Sequence, residues 1–104
     1  MIECEFQPHG DEIDIIFKGK INFSHMGEFI KELDSLDKTF KACNIDLTKL
    51  FEIDSSALGM LLILLDHQPL KGGKFVLKIQ KTGYVNEQLL EHNFQQLFTI
   101  EIVE

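Results

Sequence analysis

The stretch Asn44–Asp66, NIDLTKLFEIDSSALGMLLILLD, decides the fold of this chain. Two apolar residues separated by a polar one, Ile45 and Leu47, predict a short buried strand. We expect a turn at Thr48-Lys49 to follow, and then a loop from Leu50 to Ile53. The stretch therefore begins as a strand that leads through a loop into a long apolar run.

Asp54, Ser55 and Ser56 open a helix that we predict from Ala57 to about Asp66. Asp and Ser side chains accept hydrogen bonds from the free N–H groups in the first turn of a helix, so Asp54 is most simply the N-cap. The two hydroxyls then lie at the positive end of the helix dipole, where an added phosphate is tolerated. This is the site on which a functional interpretation can be built.

The predicted helix has no polar face. Its apolar residues are Ala57, Leu58, Met60, Leu61, Leu62, Ile63, Leu64 and Leu65. In a domain of this size only one side of such a helix faces the sheet, so the other side is expected under a neighbouring helix or on an interaction surface. The same surface is equally suited to closing a homodimer. Gly59 costs roughly 1 kcal/mol relative to Ala inside a helix, which predicts close packing at that position.

The segment IDSSALGMLL after the strand residues DLT resembles the signature of STAS domains, the family of bacterial anti-sigma factor antagonists. The family pattern is an apolar strand ending in Asp-Leu, a short loop, then D-S-[ST]-[GA]-L-G and an apolar helix. The likeness covers nearly the whole chain in layout, but the diagnostic residues lie between Ile45 and Leu65. Ala57 stands where many members have Gly, which is a common variant.

The resemblance implies roles for the residues at the start of the helix. In the family, the Ser directly after the Asp is phosphorylated by a partner kinase, and that Ser corresponds to Ser55. Asp54 corresponds to the family's Asp, which is implied to orient the hydroxyl, and Gly59 corresponds to the helix glycine. Ser56 has the next claim on the phosphate, although a capping or core contact also explains it.

A partner-binding face is predicted around this site. Its members are Leu50, Phe51, Glu52, Ile53, Met60 and Leu61. Packing in the core also explains the apolar residues before the helix, and it explains Met60 and Leu61 as well. Met suits adaptable interfaces, so both interpretations stay open.

Around this stretch the sequence predicts one α/β domain spanning residues 1–104, in the order ββαβαβαβ. The expected sheet is mixed and mostly parallel, with about five strands and with helices packed on it. The predicted strands are residues 2–7, 13–18, 45–47, 74–79 and 99–103. A turn at residues 8–11 makes the first two an antiparallel hairpin, and Gly19 is expected to end the second.

Two further helices are predicted, over residues 25–41 and about 84–92. Ser24 is a plausible N-cap for the first. Its apolar residues recur at helical spacing and are Met26, Phe29, Ile30, Leu33, Leu36 and Phe40. Near the end of the chain, Phe94, Leu97 and Phe98 are expected to cover the sheet edge, with Ile100 and Ile102 inward.

Composition excludes several classes of partner. The 104 residues include 17 acidic and 10 basic ones, giving a net charge of −7, and the basic residues are scattered. Because duplex binding needs clustered Lys and Arg, we expect no nucleic-acid partner. The N-terminus, MIECEFQPHGDE, lacks the basic and apolar regions of a signal peptide. Cys4 and Cys43 are expected to be small core or edge residues of a soluble, reduced, cytoplasmic protein that does not insert into a membrane.

No pattern indicates an enzyme, a metal or a cofactor. The four histidines (His9, His25, His67 and His92) lack metal-ligand spacing. A Ser on a strand-to-helix turn is similar to a nucleophile elbow, but G-x-S-x-G is absent. The segment KGGK at residues 71–74 lacks the P-loop pattern. We therefore expect no catalytic residue, no metal and no cofactor.

The resemblance implies an anti-sigma factor antagonist, or a close relative in a partner-switching pathway. Its partners would be a serine kinase that is also the anti-sigma factor, and a PP2C-type phosphatase that restores Ser55. Unmodified Ser55 would permit the complex and phosphorylated Ser55 would forbid it. The implied output is sigma-factor release, or control of biofilm, motility or stress responses.

Two other interpretations stay open. STAS-like domains also accompany lipid and anion transporters, so the chain could be a docking subunit of a membrane transport assembly. The helix at Asp54-Ser55 would then be a fixed docking surface without phosphate turnover. A small-ligand sensor using the same pocket is the third interpretation.

Overall fold

A computed structural model describes residues 4–21, 24, 26–36, 38–67, 70 and 72–103. Its strands are β1 (Cys4–His9), β2 (Glu12–Ile21), β3 (Ala42–Ile53), β4 (Lys74–Gln80) and β5 (Thr99–Val103). Its helices are α1 (Met26–Asp34), α2 (Ser55–Leu64) and α3 (Tyr84–Glu91), with a 3-10 turn at Phe94–Gln96. The predicted order ββαβαβαβ is confirmed. Residues 1–3 and 25, at the predicted starts of β1 and α1, lie outside the described residues.

The strands form one sheet in the order β1-β2-β3-β4-β5. β1 and β2 are antiparallel and the other neighbouring pairs are parallel, so the predicted mixed, mostly parallel sheet is confirmed. The hairpin turns at Gly10, whose φ of 61° suits a residue without a Cβ. The predicted turn began too early, because Pro8 and His9 still pair with β2.

All three helices cover the same face of the sheet. Each parallel connection moves one strand further in the same direction, and right-handed crossovers then place every helix on one side. The ring of Phe29 in α1 packs with its centroid 5.4 Å from that of Phe17 and 6.0 Å from that of Phe6. The largest fully buried side chains are Phe17, Phe29, Ile13, Ile15, Leu33, Ile45, Leu47, Ile53, Met60, Leu61, Leu64 and Leu70.

The other side of the sheet, which we call the back face, carries half-buried and exposed side chains, most of them polar. Asn44 Nδ2 donates a hydrogen bond to Asp14 Oδ1 at 2.9 Å, and His9 Nε2 lies 3.2 Å from Asp14 Oδ2. On β4 and β5 the paired residues Lys78 and Glu101 alternate with the inward-facing Leu77 and Ile79. The described core therefore lies on the helix side alone.

β3 is longer than the sequence predicted. The predicted turn at Thr48-Lys49 and the loop over residues 50–53 are both wrong, because the backbone continues as a strand to Ile53. Two irregularities in its pairing with β2 each add one residue to β3. The inward positions therefore step from Leu47 to Leu50 to Ile53, which breaks the alternation that identifies a strand in the sequence. At the first irregularity, Thr48 N–H donates to Asp46 Oδ1 at 2.9 Å.

Other element ends also differ from the prediction, and α2 runs from Ser55 to Leu64 instead of from Ala57 to about Asp66. β2 does not end at Gly19 but continues to Ile21, with Gly19 at a φ of 74° where the pairing shifts. α1 ends at Asp34 instead of near residue 41. Just after Asp34, the N–H of Ser35 donates to the carbonyl of Glu32 at 3.1 Å. Phe40 is nevertheless buried, so apolar residues keep helical spacing beyond the end of the helix.

The end of the chain is more open than predicted. Phe94 and Phe98 are buried as expected, but Leu97 is 53% exposed and Ile102 is 54% exposed. The reason for Ile102 is that β5 is the edge strand, where inward positions have a neighbouring strand on one side only. Among the described helices, none combines the length and the hydrophobicity needed to cross a membrane.

Both cysteines are structural. Cys43 is buried in the core and Cys4 is half-buried on β1. Burial is the main cause that raises the pKa of each thiol to about 12, with added repulsion from Glu32 and Glu5 at Cys4 and from Asp14 at Cys43. Both thiols therefore stay protonated at neutral pH, where they behave as small apolar side chains.

Candidate functional site

Ser55 is the first residue of α2 and its side chain is exposed. The chain reaches it from Ile53, which is buried at the end of β3, through the exposed Asp54. The N–H of Leu58 donates to the carbonyl of Asp54 at 3.2 Å, so the backbone of Asp54 occupies the N-cap position. The hydroxyl of Ser55 thus lies at the positive end of α2, where an enzyme can reach it. Ser56 is the second residue of α2, and its side chain lies outside the described part of the structure.

α2 has one buried side and one exposed side, although its sequence is apolar all round. Leu58, Met60, Leu61 and Leu64 are buried against the sheet. The outer side carries a row at helical spacing that we call the Ser55 stripe, formed by Ser55, Gly59 and Leu62. Leu62 is 40% exposed, so the stripe presents an apolar side chain one turn beyond the half-buried Gly59. We predicted that the outer side of α2 lies either under a neighbouring helix or on the surface, and the structure places it on the surface.

Gly59 has open space around it. A Cβ built at Gly59 would have no atom within 4 Å, so the predicted close packing within the domain is wrong. In a helix the side chain leans toward the N-terminus, so any side chain at residue 59 would lie over the turn that holds Ser55. Glycine therefore keeps the surface beside the Ser55 hydroxyl uncovered.

Four of the six residues predicted to bind a partner lie in the core. Leu50 is 6% exposed, Ile53 is 1% exposed, and Met60 and Leu61 are fully buried. These four side chains are not accessible to a partner in this conformation. Of the two interpretations, partner binding and core packing, the structure favours core packing. Phe51 and Glu52 are exposed, because the irregular stretch of β3 turns two successive side chains outward. Phe51 is 69% exposed, the largest fraction among the exposed large hydrophobic residues of the described chain.

A narrow cleft of about 40 Å³, which we call the Asn86 cleft, lies beside Phe51 between the end of β3 and the start of α3. It is lined by Leu47, Leu50, Phe51, Gln80, Thr82, Tyr84, Val85 and Asn86. Tyr84 is 49% exposed, whereas Asn86 is a buried polar residue. Sequence reasoning missed both, since neither belongs to a motif and only the fold brings α3 next to β3.

The charged residues near Ser55 in the sequence are all acidic. Glu52 and Asp54 precede Ser55, both are exposed, and the sequence contains no basic residue from Leu50 to Asp66. The described residues include no group of three or more His, Cys, Asp or Glu side chains that could hold a metal ion. The chemistry on offer here is a reachable hydroxyl beside an apolar surface.

The chain is similar in sequence to a STAS-domain-containing protein of Pseudomonas aeruginosa. The two are 33% identical over 91 residues, which cover 88% of this chain and 89% of that protein. No protein-family model matches the chain.

Solved structures share the fold. An anti-sigma factor antagonist from Mycobacterium paratuberculosis superposes with a TM-score of 0.77 at 14% identity, over 96% of this chain and 85% of that one. The anti-sigma factor antagonist SpoIIAA in its unphosphorylated form gives 0.63 at 9% identity, over 97% and 87%. A protein from Shewanella loihica with a SpoIIAA-like fold gives 0.53 at 17% identity, over 99% and 86%. At these identities the likeness establishes the fold.

Proposed function

This chain belongs to the STAS-domain family, and on that premise we propose that it is an anti-sigma factor antagonist, or a close relative, in a partner-switching pathway. The observation that carries the proposal is the exposed Ser55 hydroxyl at the start of α2, next to the uncovered Gly59 and the exposed Leu62. The protein is a ligand and a kinase substrate, and it transfers no group itself. Its setting is the cytoplasm.

The unmodified stripe is suited to docking. Leu62 supplies apolar area, Gly59 lets a partner approach the helix backbone, and Phe51 with Glu52 extends the surface at the end of β3. Burying apolar area stabilises a complex by about 25 cal/mol per Å² before the costs of association. The partner is a serine kinase that is also the anti-sigma factor.

Phosphorylation of Ser55 would weaken binding of the partner to this surface. A phosphoserine carries about 1.5 to 2 negative charges and three acceptor oxygens. The dipole of α2 offsets part of that charge, so the fold survives. Because Glu52 and Asp54 lie just before Ser55 and no basic residue occurs between Leu50 and Asp66, a docked partner would have to bury an anion that this segment does not neutralise, which disfavours the complex. A PP2C-type phosphatase restores the hydroxyl and with it the docking surface.

Intact-mass spectrometry of the protein purified from the organism that produces it tests whether Ser55 is phosphorylated. We expect a species heavier by one phosphate that is lost in Ser55→Ala and retained in Ser35→Ala. Ser35 is a matched control because it is also an exposed serine next to a helix. A phosphate that persists in Ser55→Ala would move the modification away from Ser55.

Comparative pull-down tests whether a negative charge at Ser55 weakens partner binding. We expect wild-type and Ser55→Ala protein to retain the partner, and Ser55→Asp to lose it. Ser35→Asp adds the same charge at the end of α1 and should retain it. Equal binding by wild-type and Ser55→Asp protein, with no phosphate under any growth condition, would contradict the switch and favour a fixed docking subunit.

A further inference from the structure

The pairing of β3 with β4 ends before the two strands do. In the described chain, the last residue of β3 in register with β4 is Asp46, opposite Lys78. β3 then continues beside β2 to Ile53, whereas β4 continues beside β5 to Gln80. The backbone of β3 that leads to Ser55 therefore needs other hydrogen-bond partners on its β4 side.

Two side chains supply such partners at Thr48. Oδ1 of Asp46 accepts hydrogen bonds from the N–H of Thr48 at 2.9 Å and from its hydroxyl at 2.6 Å. Nε2 of Gln80 donates to the backbone carbonyl of Thr48 across the gap between the strands. Hydrogen bonds to a carboxylate are stronger than those between neutral groups, so Asp46 contributes more than Gln80.

Thr48 lies at the first irregularity of β3. Ile16 pairs with Asp46 and Lys18 pairs with Lys49, so β3 has one residue more than β2 between these pairs. The extra residue makes Leu50 the next inward position instead of Lys49. Burial of Leu50 selects this register, and the hydrogen bonds to Asp46 fix the backbone within it.

We propose that Asp46 is a positioning residue for the Ser55 site. Its carboxylate holds the irregular end of β3 in one conformation, so that Phe51 and Glu52 stay outward and the chain enters α2 at Ser55 in a fixed position. The partner then meets a preorganised surface, which spares the cost of ordering that surface on binding. The inference rests on the proposed function for what docks there, but the positioning is testable without the partner.

Hydrogen exchange followed by nuclear magnetic resonance tests the positioning directly. In Asp46→Ala we expect the amides of residues 48–53 to exchange about tenfold faster than in wild-type protein, while the amides of Leu77 and Ile79 in β4 keep their rates. Asp46→Asn keeps an acceptor oxygen and should restore most of the protection. Asp14→Ala is the matched control, because Asp14 is also a half-buried hydrogen-bonded carboxylate on the back face, and it should leave residues 48–53 unchanged.

Three results would overturn the inference. They are unchanged exchange at residues 48–53 in Asp46→Ala, an equal acceleration over the whole sheet, which marks a general loss of stability, and no recovery in Asp46→Asn. If Asp46→Ala fails to fold, Thr48→Val decides the question. This variant removes only the hydroxyl bond and should accelerate the same amides by about threefold, so unchanged exchange in it also overturns the inference.

Capture of the partner connects the positioning to docking. Asp46→Ala should bind the partner about threefold to tenfold more weakly than wild-type protein, whereas Asp46→Asn and Asp14→Ala should bind it nearly as well. Equal capture by Asp46→Ala and wild-type protein would overturn the role of Asp46 in docking. Failure of wild-type protein to capture any partner would instead count against the proposed function, and the exchange rates would still decide whether Asp46 positions the site.

Discussion

Replacing Gly59 by Ala should stabilise the domain. Gly59 lies inside α2, and a Cβ at this position meets no atom within 4 Å, so the substitution introduces no clash. Ala is favoured over Gly in a helix interior by about 0.5–1 kcal/mol, chiefly through the entropy of the unfolded chain. For a domain of this size we expect the free energy of unfolding to rise by that amount and the Tm to rise by about 2–6 °C.

Urea unfolding and calorimetry measure this effect, and Gly73→Ala is the matched control. A Cβ at Gly73 would lie 3.0 Å from the carbonyl oxygen of Lys41 and 3.2 Å from that of Leu70, both backbone atoms that cannot move aside cheaply. We expect the free energy of unfolding of this variant to fall by about 1–3 kcal/mol, the usual range for overpacking. The two glycines should therefore respond with opposite signs. A destabilised Gly59→Ala protein would refute the open space that we assign beside Ser55.

Docking supplies the second readout. Gly59→Leu places a large side chain over the turn of Ser55, so it should fold and yet fail to retain the partner that wild-type protein captures. Leu is a good helix former, and loss of binding would therefore not reflect loss of the helix. Wild-type binding by Gly59→Leu would show that the partner docks elsewhere, and it would remove the Ser55 stripe from the proposal.

The remaining predictions concern the core and the thiols. Met60→Ala should lower the free energy of unfolding by about 2–5 kcal/mol, whereas Phe51→Ala should change it by no more than about 0.5 kcal/mol, and urea titration would contradict the burial pattern if the two losses were alike. Stability should fall as pH rises above about 9, because the unfolded thiols release protons near 9 while Cys4 and Cys43 in the folded protein hold theirs to about 12. The loss approaches about 1.4 kcal/mol per thiol for each pH unit inside that window. It should be smaller in Cys4→Ala/Cys43→Ala, and an identical pH profile in that variant would assign the loss to other groups.

The sequence predicts the elements whose signal is local. The N-terminus of α2 follows from Asp54 and Ser55, because capping chemistry depends on neighbouring residues only. The order of the elements and the parallel sheet follow from the alternation of strand and helix patterns. The same reasoning fails in β3, where pairing with β2 creates irregularities at Thr48 and Phe51 that no local pattern shows.

The candidate site also combines features that the sequence predicts with features that depend on tertiary packing. The position of Ser55 at the start of α2 was predictable from the motif that surrounds it. The burial of Leu50 and Ile53 was not, because it depends on the register of β3 against its neighbour. Asn86 carried no sequence signal, since a single polar residue in a short helix looks like a surface residue until tertiary packing buries it.

The uncovered back face of the sheet offers the experimenter a handle. Glu101 is exposed there, on the side of the sheet away from α2 and its serine. A fluorophore attached through Glu101→Cys would touch neither the packed layer nor α2, and Cys4 and Cys43 would react far more slowly than the new thiol because burial raises their pKa to about 12. A domain with helices on one side only can thus be tethered or labelled from behind while the surface that carries Ser55 remains free.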